Sequence, residues 1–129
     1  MNSKLTPVQK ARIRKLVDTL RTTNKRQGRG YLRQRGNKTV KFCCLGIACE
    51  VAIAEGVEIS RNTRYSVSTY SGGAYSLPSE VRNFFGFEHS DPRLLDENGN
   101  EDTASGLNDD EKYNFKRIAD AFERTYLSE

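Results

Sequence analysis

Apolar residues recur at helical spacing near the start of the chain, in the order Ile13, Leu16, Val17 and Leu20. The signals that begin a helix come just before them. Thr6 is a suitable cap, and Gln9, three residues later, completes a capping box. The pattern therefore predicts an N-terminal helix that ends near residues 22–24.

The longest stretch with almost no charge is Phe42–Ala54, which contains the adjacent cysteines Cys43 and Cys44 and a third at Cys49. It is too short to span a bilayer, so we expect a buried helix. Gly46 within it lowers helix stability, which favours close packing against a neighbouring element. The cysteine spacing matches no standard zinc site, so the thiols are predicted to be part of the core.

Alternation of apolar and polar residues predicts short antiparallel strands between the helices. Residues 31–35 and 39–42 form a predicted hairpin, in which Leu32 and Phe42 face the core and Arg33 faces solvent. Further strands are predicted at residues 57–59, 64–70 and 74–77.

Helix signals return in the second half of the chain. A short helix is predicted at Pro78–Gly86, because proline lies near its start and glycine past its end. Residues 87–106 form an acidic, turn-rich stretch with Asn98-Gly99 as a tight-turn signal. The last helix is predicted to begin with Asn108 as its cap. Its apolar stripe consists of Phe115, Ile118, Ala119, Phe122 and Tyr126.

These elements predict a small single α+β domain over residues 1–129. It contains an N-terminal helix, a β-hairpin, the buried dicysteine helix, short antiparallel strands and a C-terminal amphipathic helix. We find no signal peptide or transmembrane stretch, so no membrane partner is expected. Three cysteines do not form a secreted disulfide framework, which favours a reduced, cytosolic protein.

The net charge of +4 is distributed unevenly along the chain. Residues 1–41 contain thirteen lysines and arginines and one acid, Asp18, so they carry +12, and the remainder carries −8. Such a split favours an anionic partner for the first part, such as nucleic acid or a nucleotide. The alternative is that the two parts neutralise one another, within a protomer or between protomers.

The basic, glycine-rich turn Lys25–Gly30 is the main candidate for anion binding. Its glycines let a ligand approach the main chain, and arginines lie on its rim. A flexible connector is the alternative interpretation. The predicted ligand-binding residues are Arg26, Arg29, Tyr31 and Arg33. A planar ligand could also stack on tyrosine rings that otherwise pack with their hydroxyls in water, at Tyr65, Tyr70 and Tyr75.

The sequence assigns no catalytic residue, no metal site and no cofactor. The single histidine, His89, is expected to be exposed, and no acid–base pair can be placed for a hydrolase. Acidic and amide residues alternate between Asp96 and Asp102 as calcium ligands do. However, Gly99 comes too early for a calcium loop, and the closing glutamate is missing. A binding protein is therefore expected rather than an enzyme.

Several ordered blocks carry a resemblance to a known group of proteins. They are Val17–Arg21, Gln27–Leu32, Phe42–Cys49, Leu77–Gly86 and parts of Leu107–Glu123. The chain resembles short bacteriophage-encoded proteins of uncertain function that carry a Cys-Cys-Leu-Gly core motif. The resemblance implies a non-structural accessory phage protein in the bacterial host cytoplasm, of the kind that antagonises host defence or redirects host machinery.

Three functions follow from these observations. The first is an anti-host-defence binding protein that sequesters a small anionic ligand, with a nucleotide immune signal as the candidate, in a homo-oligomer. The second is a basic nucleic-acid-binding protein. The third is a protein inhibitor of a host enzyme, in which the acidic residues 87–106 act as a nucleic-acid mimic.

Overall fold

The computed structural model describes residues 5–36 and 38–128, and in them helices pack beside a five-stranded sheet. The predicted α+β class is thereby confirmed. The helices are α1 (Pro7–Thr22), α2 (Cys44–Ala54), α3 (Ser79–Phe85), α4 (Ala104–Asp109) and α5 (Phe115–Phe122), the last continued by a π-helical segment, Glu123–Leu127. The strands are β1 (Arg26–Gln27), β2 (Arg33–Arg35), β3 (Val40–Phe42), β4 (Arg61–Arg64), β5 (Val67–Tyr70), β6 (Arg93–Leu95) and β7 (Glu101–Thr103).

The main sheet has the strand order β1-β3-β2-β5-β4. Strand β1 runs parallel to β3, and the other neighbours are antiparallel. One face of this sheet packs against the helices. Phe42 of β3 and Tyr70 of β5 belong to the core, and the Tyr70 hydroxyl donates to Glu50 of α2 at 2.7 Å. The core therefore lies between the sheet and the helices.

The prediction for helix α1 is confirmed at its start. The Gln9 N–H donates to Thr6 Oγ1 at 3.1 Å, and the Thr6 N–H donates to Gln9 Oε1 at 3.0 Å. These two bonds form the capping box, and they satisfy two donors next to the helix start. The helix ends at Thr22, and its predicted apolar face is buried at Ile13, Leu16, Val17 and Leu20.

The predicted strand at residues 64–70 is wrong, because the structure has two strands there. Tyr65 and Ser66 form a two-residue turn between β4 and β5, with φ angles of 53° and 70°. Such turns are usually formed by asparagine and glycine, which are absent at these two positions. The alternation of residue types continues through the turn, so it is typical of one longer strand.

The other two strand predictions in this region are also wrong. Residues 57–59 and 74–77 are not strands in the structure. Val57 and Ile59 are half-buried and pack against the edge of the core. Their alternation reflects contact with the core on one side without pairing to a neighbouring strand.

The C-terminal helix prediction is partly wrong, because two helices replace one. Lys112, in the connection between α4 and α5, has a left-handed φ of 58°. Helix α5 then begins after Asn114, whose Oδ1 accepts from the Arg117 N–H at 2.9 Å. Asn108, the predicted cap, instead lies inside α4 and is buried. The predicted apolar stripe is confirmed, since its members are buried or packed against the core: Phe115, Ile118, Ala119, Phe122 and Tyr126.

The acidic stretch 87–106 contains the β6–β7 hairpin. Asn98-Gly99 lies in its turn, as predicted, with Gly99 at φ 83°. The Oδ1 atom of Asp96 accepts the N–H groups of Asn98 and Asn100, each at 2.9 Å. The alternating acids and amides therefore stabilise a turn within this hairpin.

Helix α2 is buried along most of its length, as predicted, and Gly46 is the position at which another backbone segment approaches it. A Cβ atom at position 46 would overlap the backbone carbonyl of Leu32, just before β2. The same carbonyl accepts the Cys43 N–H at 3.2 Å. This contact fixes the start of α2 against the start of β2, and it confirms the close packing predicted for Gly46.

The substitution Gly46→Ala is expected to lower the free energy of unfolding by about 1–3 kcal/mol, because the added methyl group forces two backbone segments apart. Urea denaturation followed by circular dichroism measures the loss. Gly36→Ala is the matched control, since the nearest atom to its added methyl group lies at an ordinary 3.5 Å. Equal stability of the two variants would show that the contact between Gly46 and Leu32 tolerates a side chain.

Candidate anion-binding face

The strand pairing brings one side chain from each strand of the main sheet into a single row. We call this set the cross-strand row, and its members in order are Arg26, Lys41, Gln34, Val67 and Arg64. Directly paired residues lie on the same side of a sheet. With neighbouring strands about 4.8 Å apart, the row extends about 19 Å across the sheet.

The cross-strand row lies on the side of the sheet that faces away from the helices. Phe42 and Ser68, which neighbour Lys41 and Val67 in sequence, are buried on the opposite side. The side chains of Arg26, Lys41 and Arg64 are exposed. We therefore call this side the outer face of the sheet.

A groove with a volume of about 450 Å³ opens on the outer face, near the turns that follow β2 and β4. Lys41 and Gln34 of the cross-strand row line it, together with Arg35 at the end of β2. The ring of Tyr65 and the hydroxyl-bearing residue Ser66 complete one end. The groove thus combines two cations, an amide and an aromatic ring.

The cations of α1 are largely neutralised by acids from elsewhere in the chain. Arg21 donates to Glu123 at 2.9 Å, and this hydrogen bond holds the pKa of Glu123 below its usual range. Arg14 lies 3.4 Å from the same carboxylate, and Lys15 lies 2.6 Å from Glu55. Neutralisation, the alternative interpretation of the charge split, therefore applies to these side chains.

Arg61 of β4 lies 2.9 Å from Glu50, but most other cations of the sheet and its turns have no such partner in the described residues. Within residues 5–36 and 38–128, no carboxylate lies within 4.0 Å of their charged nitrogens. This group comprises Lys25, Arg26, Arg29, Arg35, Lys38, Lys41 and Arg64. Clustered cations without counter-charges create a positive potential that attracts anions to this part of the surface.

The structure places three of the predicted ligand-binding residues in three different locations. Arg26 belongs to the cross-strand row. Arg29 is exposed on the glycine-rich turn, but the Gly30 N–H there donates to Asp109 Oδ1 at 3.1 Å. Tyr31 lies at the end of β2 opposite the groove, with its ring centroid 5.2 Å from that of Tyr75. Arg29 and Tyr31 therefore lie away from the groove.

Arg33, the fourth predicted residue, lies on the inner face of the sheet. The expectation that it faces solvent is wrong, because its strand register pairs it with Phe42 and Ser68. It is half-buried, and its NH1 group donates to Ser68 Oγ at 2.6 Å and to Thr63 Oγ1 at 3.3 Å. Its buried Nε–H has no partner in the described residues.

The three tyrosines considered for stacking differ in their surroundings. Tyr70 is buried, and Tyr75 packs against Tyr31. Tyr65 is 88% exposed and lines the groove.

Sequence reasoning missed the grouping of Gln34, Lys41 and Tyr65, because only the register of β2 against β3 and β5 brings these residues together.

Comparison with known proteins gives one match. Residues 9–126 match the model of a protein family described as a domain of unknown function, DUF8296. No curated protein and no solved structure matches the chain. In the described part of the chain, no helix combines the length and the apolar character needed to cross a membrane.

The three cysteines lie in the core, as predicted, and they are free thiols. Burial raises the pKa of Cys43 to about 12, and burial also raises the pKa of Cys44 and Cys49. A thiol with a raised pKa carries almost no thiolate at neutral pH, and the thiolate is the reactive form. Within residues 5–36 and 38–128, no group of three potential metal ligands is present.

All three thiols are expected to be unreactive toward a disulfide reagent such as dithionitrobenzoate in the native protein at pH 8, because they are protonated and inaccessible. In guanidinium chloride, three equivalents are expected to react rapidly. The absorbance of the released thiolate measures both reactions. Rapid reaction of one equivalent in the native protein would show that a cysteine is accessible.

Proposed function

Because the chain belongs to DUF8296, a family of unknown function, we propose a function from the geometry of the sheet. The protein binds a small phosphate-bearing ligand, a nucleotide, on the outer face. The observation that carries this proposal is that Lys41 and Arg35, two of the cations that lack carboxylate partners in the described residues, are among the residues that line the groove.

The cross-strand row offers phosphate contacts from neighbouring strands. Arg26 and Lys41 are direct partners on the parallel strands β1 and β3, which lie about 4.8 Å apart. Arg35, at the end of β2, is also among the residues that line the groove. An arginine can hold two phosphate oxygens at once, whereas a lysine acts as a compact point charge. These positions supply both kinds of contact to one ligand.

The composition of the groove favours retention of a ligand over its conversion. Among the described residues that line it, there is neither a carboxylate nor an imidazole. General acid–base catalysis most often uses such groups. His89, the single histidine, is exposed in the chain segment that precedes β6. A binding protein therefore fits the lining better than a hydrolase does.

The resemblance to phage accessory proteins supplies a biological setting for the proposal. In that setting, the protein acts in the bacterial host cytoplasm and sequesters a nucleotide immune signal. Sequestration depends on affinity and needs no catalytic group. The outer face is open to solvent. A second protomer placed over it would enclose the ligand, and this is the arrangement that we propose for the expected homo-oligomer.

Nucleic-acid binding is the second candidate, and the length of the cross-strand row favours it. A basic surface about 19 Å long can follow several phosphates of one strand. Single-stranded nucleic acids bind grooves of this kind when cations contact the backbone and aromatic rings stack on bases. The groove provides both features, at Lys41 and Tyr65.

The inhibitor hypothesis has less support, because acids of the stretch 87–106 are used within the chain. Glu97 accepts from Arg117 at 2.6 Å, and Glu101 accepts from Arg93 at 2.7 Å. Asp96 binds N–H groups of its own turn. A nucleic-acid mimic needs carboxylates that are available to the host protein.

Lys41→Gln is expected to weaken the binding of ribonucleoside 5′-triphosphates by about tenfold, because a hydrogen bond to a charged group contributes about 1.5–3 kcal/mol. Isothermal titration calorimetry of the full chain measures the change. Lys116→Gln on α5 is the matched control, since it removes the same charge from an exposed position on another element. Its affinity is expected to stay within twofold of that of the original protein.

The proposal fails if no nucleotide binds, or if both variants lose affinity equally.

Salt dependence separates the two candidate functions. Binding of a twelve-nucleotide single strand is expected to weaken steeply between 50 and 200 mM salt, by about three-hundredfold for six phosphate contacts. Native mass spectrometry of protein purified from infected cells reports the oligomer mass and any retained ligand in the same spectrum.

A further inference from the structure

The turn between β4 and β5 holds a large aromatic residue in an unfavourable backbone conformation. Tyr65 and Ser66 have φ angles of 53° and 70°, and both are therefore in the left-handed region. Two-residue hairpin turns of this geometry strongly prefer asparagine and glycine. Residues kept in such conformations without being glycine occur preferentially at functional sites.

The ring of Tyr65 has no packing role that would explain this conformation. It is 88% exposed, and within the described residues it makes no ring–ring contact and its hydroxyl has no hydrogen bond. The Arg64 guanidinium lies over the Tyr65 ring, 5.6 Å from the ring centroid. Tyr75, by comparison, packs against Tyr31.

The surrounding strands hold this turn in place. The Arg35 N–H donates to the Ser66 carbonyl at 2.7 Å, which ties the turn to β2. On its other side, Arg64 pairs directly with Val67. The position of the Tyr65 backbone is therefore fixed before a ligand arrives, so on binding only the two side-chain torsions of the tyrosine lose entropy.

We propose that Tyr65 is the residue on which the base of the bound nucleotide stacks. This inference rests on the proposed function, and it deepens that function by assigning the two ends of the ligand. The phosphates lie at Lys41 on β3, and the base lies against Tyr65 in the turn between β4 and β5, which lines the same groove. The ligand is therefore a nucleotide, and inorganic polyphosphate is a poor substitute for it.

Calorimetric titration of the full chain with the four ribonucleoside 5′-triphosphates and with inorganic triphosphate tests this assignment. At least one nucleotide is expected to bind about tenfold tighter than inorganic triphosphate, because base stacking on an aromatic ring adds affinity. Tyr65→Ala is expected to remove that preference and to leave inorganic triphosphate binding unchanged. Tyr65→Phe should retain it, and Tyr75→Ala is the control for an exposed tyrosine elsewhere.

The outcomes separate the two proposals. If neither nucleotides nor inorganic triphosphate bind, the anion-binding face and the stacking role both fail. If inorganic triphosphate binds as tightly as every nucleotide, the stacking role is overturned and the anion-binding face stands. Loss of the preference in Tyr75→Ala, or its retention in Tyr65→Ala, would also overturn the role of Tyr65.

A double substitution to the preferred turn residues gives an independent measurement. Tyr65→Asn combined with Ser66→Gly is expected to raise the Tm by about 3 °C, because it relieves the unfavourable backbone conformation. The same variant should lose the preference for nucleotides over inorganic triphosphate. A lower Tm, or a higher Tm with the preference retained, would contradict the inference.

Discussion

The side-chain amide of Asn108 makes four hydrogen bonds, and three of them join segments that are far apart in the sequence. Its Oδ1 accepts from the Cys44 N–H at 3.1 Å and from Gln27 Nε2 at 2.8 Å. Its Nδ2 donates to the Gly28 carbonyl at 2.9 Å and to Asp109 Oδ1 at 2.8 Å. The Cys44 N–H and the Gly28 carbonyl are buried, so each would otherwise need another partner in a part of the molecule that excludes water.

These bonds position the elements that carry the candidate site. Strand β1 has only two residues and a single parallel partner, β3, so its own ladder holds it weakly. Asn108 fixes the main chain immediately after β1 and the first turn of α2 at the same point. Arg26 can then lie beside Lys41 at one end of the cross-strand row, while Gly46 holds α2 against the segment before β2. A buried polar group thereby determines the position of an exposed basic surface.

The same residue shows why some features could be predicted from the sequence and others could not. Thr6 and Gln9 have capping-box spacing, and so do Asn108 and Glu111. Only the first pair forms a cap, and its two hydrogen bonds join residues three positions apart. The Asn108 side chain finds better partners about 64 to 81 residues away in sequence.

The candidate site depends on contacts of the same non-local kind. Burial of the cysteines and the requirement for glycine at position 46 follow from local composition, so both were predictable. The inner placement of Arg33 follows from its pairing with Phe42 and Ser68. Shifting a strand by one residue exchanges the sides of all its side chains, so an uncertain start of β2 was enough to misplace the arginine.

The structure also explains how one chain can carry a strong charge asymmetry. Arg14 and Arg21 of α1 lie against α5 and its π-helical extension, where carboxylates neutralise them, and Lys15 pairs with Glu55. Arg26 and Lys41 lie on the outer face of the sheet, away from the helices, whereas Arg33 lies on the inner face. Burial of the inner face by α2 forces the remaining polar side chains of β1, β2 and β3 to the outside, where repulsion between them is reduced by solvent and salt. Neutralisation, one of the two interpretations of the charge split, therefore describes the first half of the basic segment. Sheet formation leaves most cations of the second half without a carboxylate partner in the described residues, and an anionic partner for them stays a prediction.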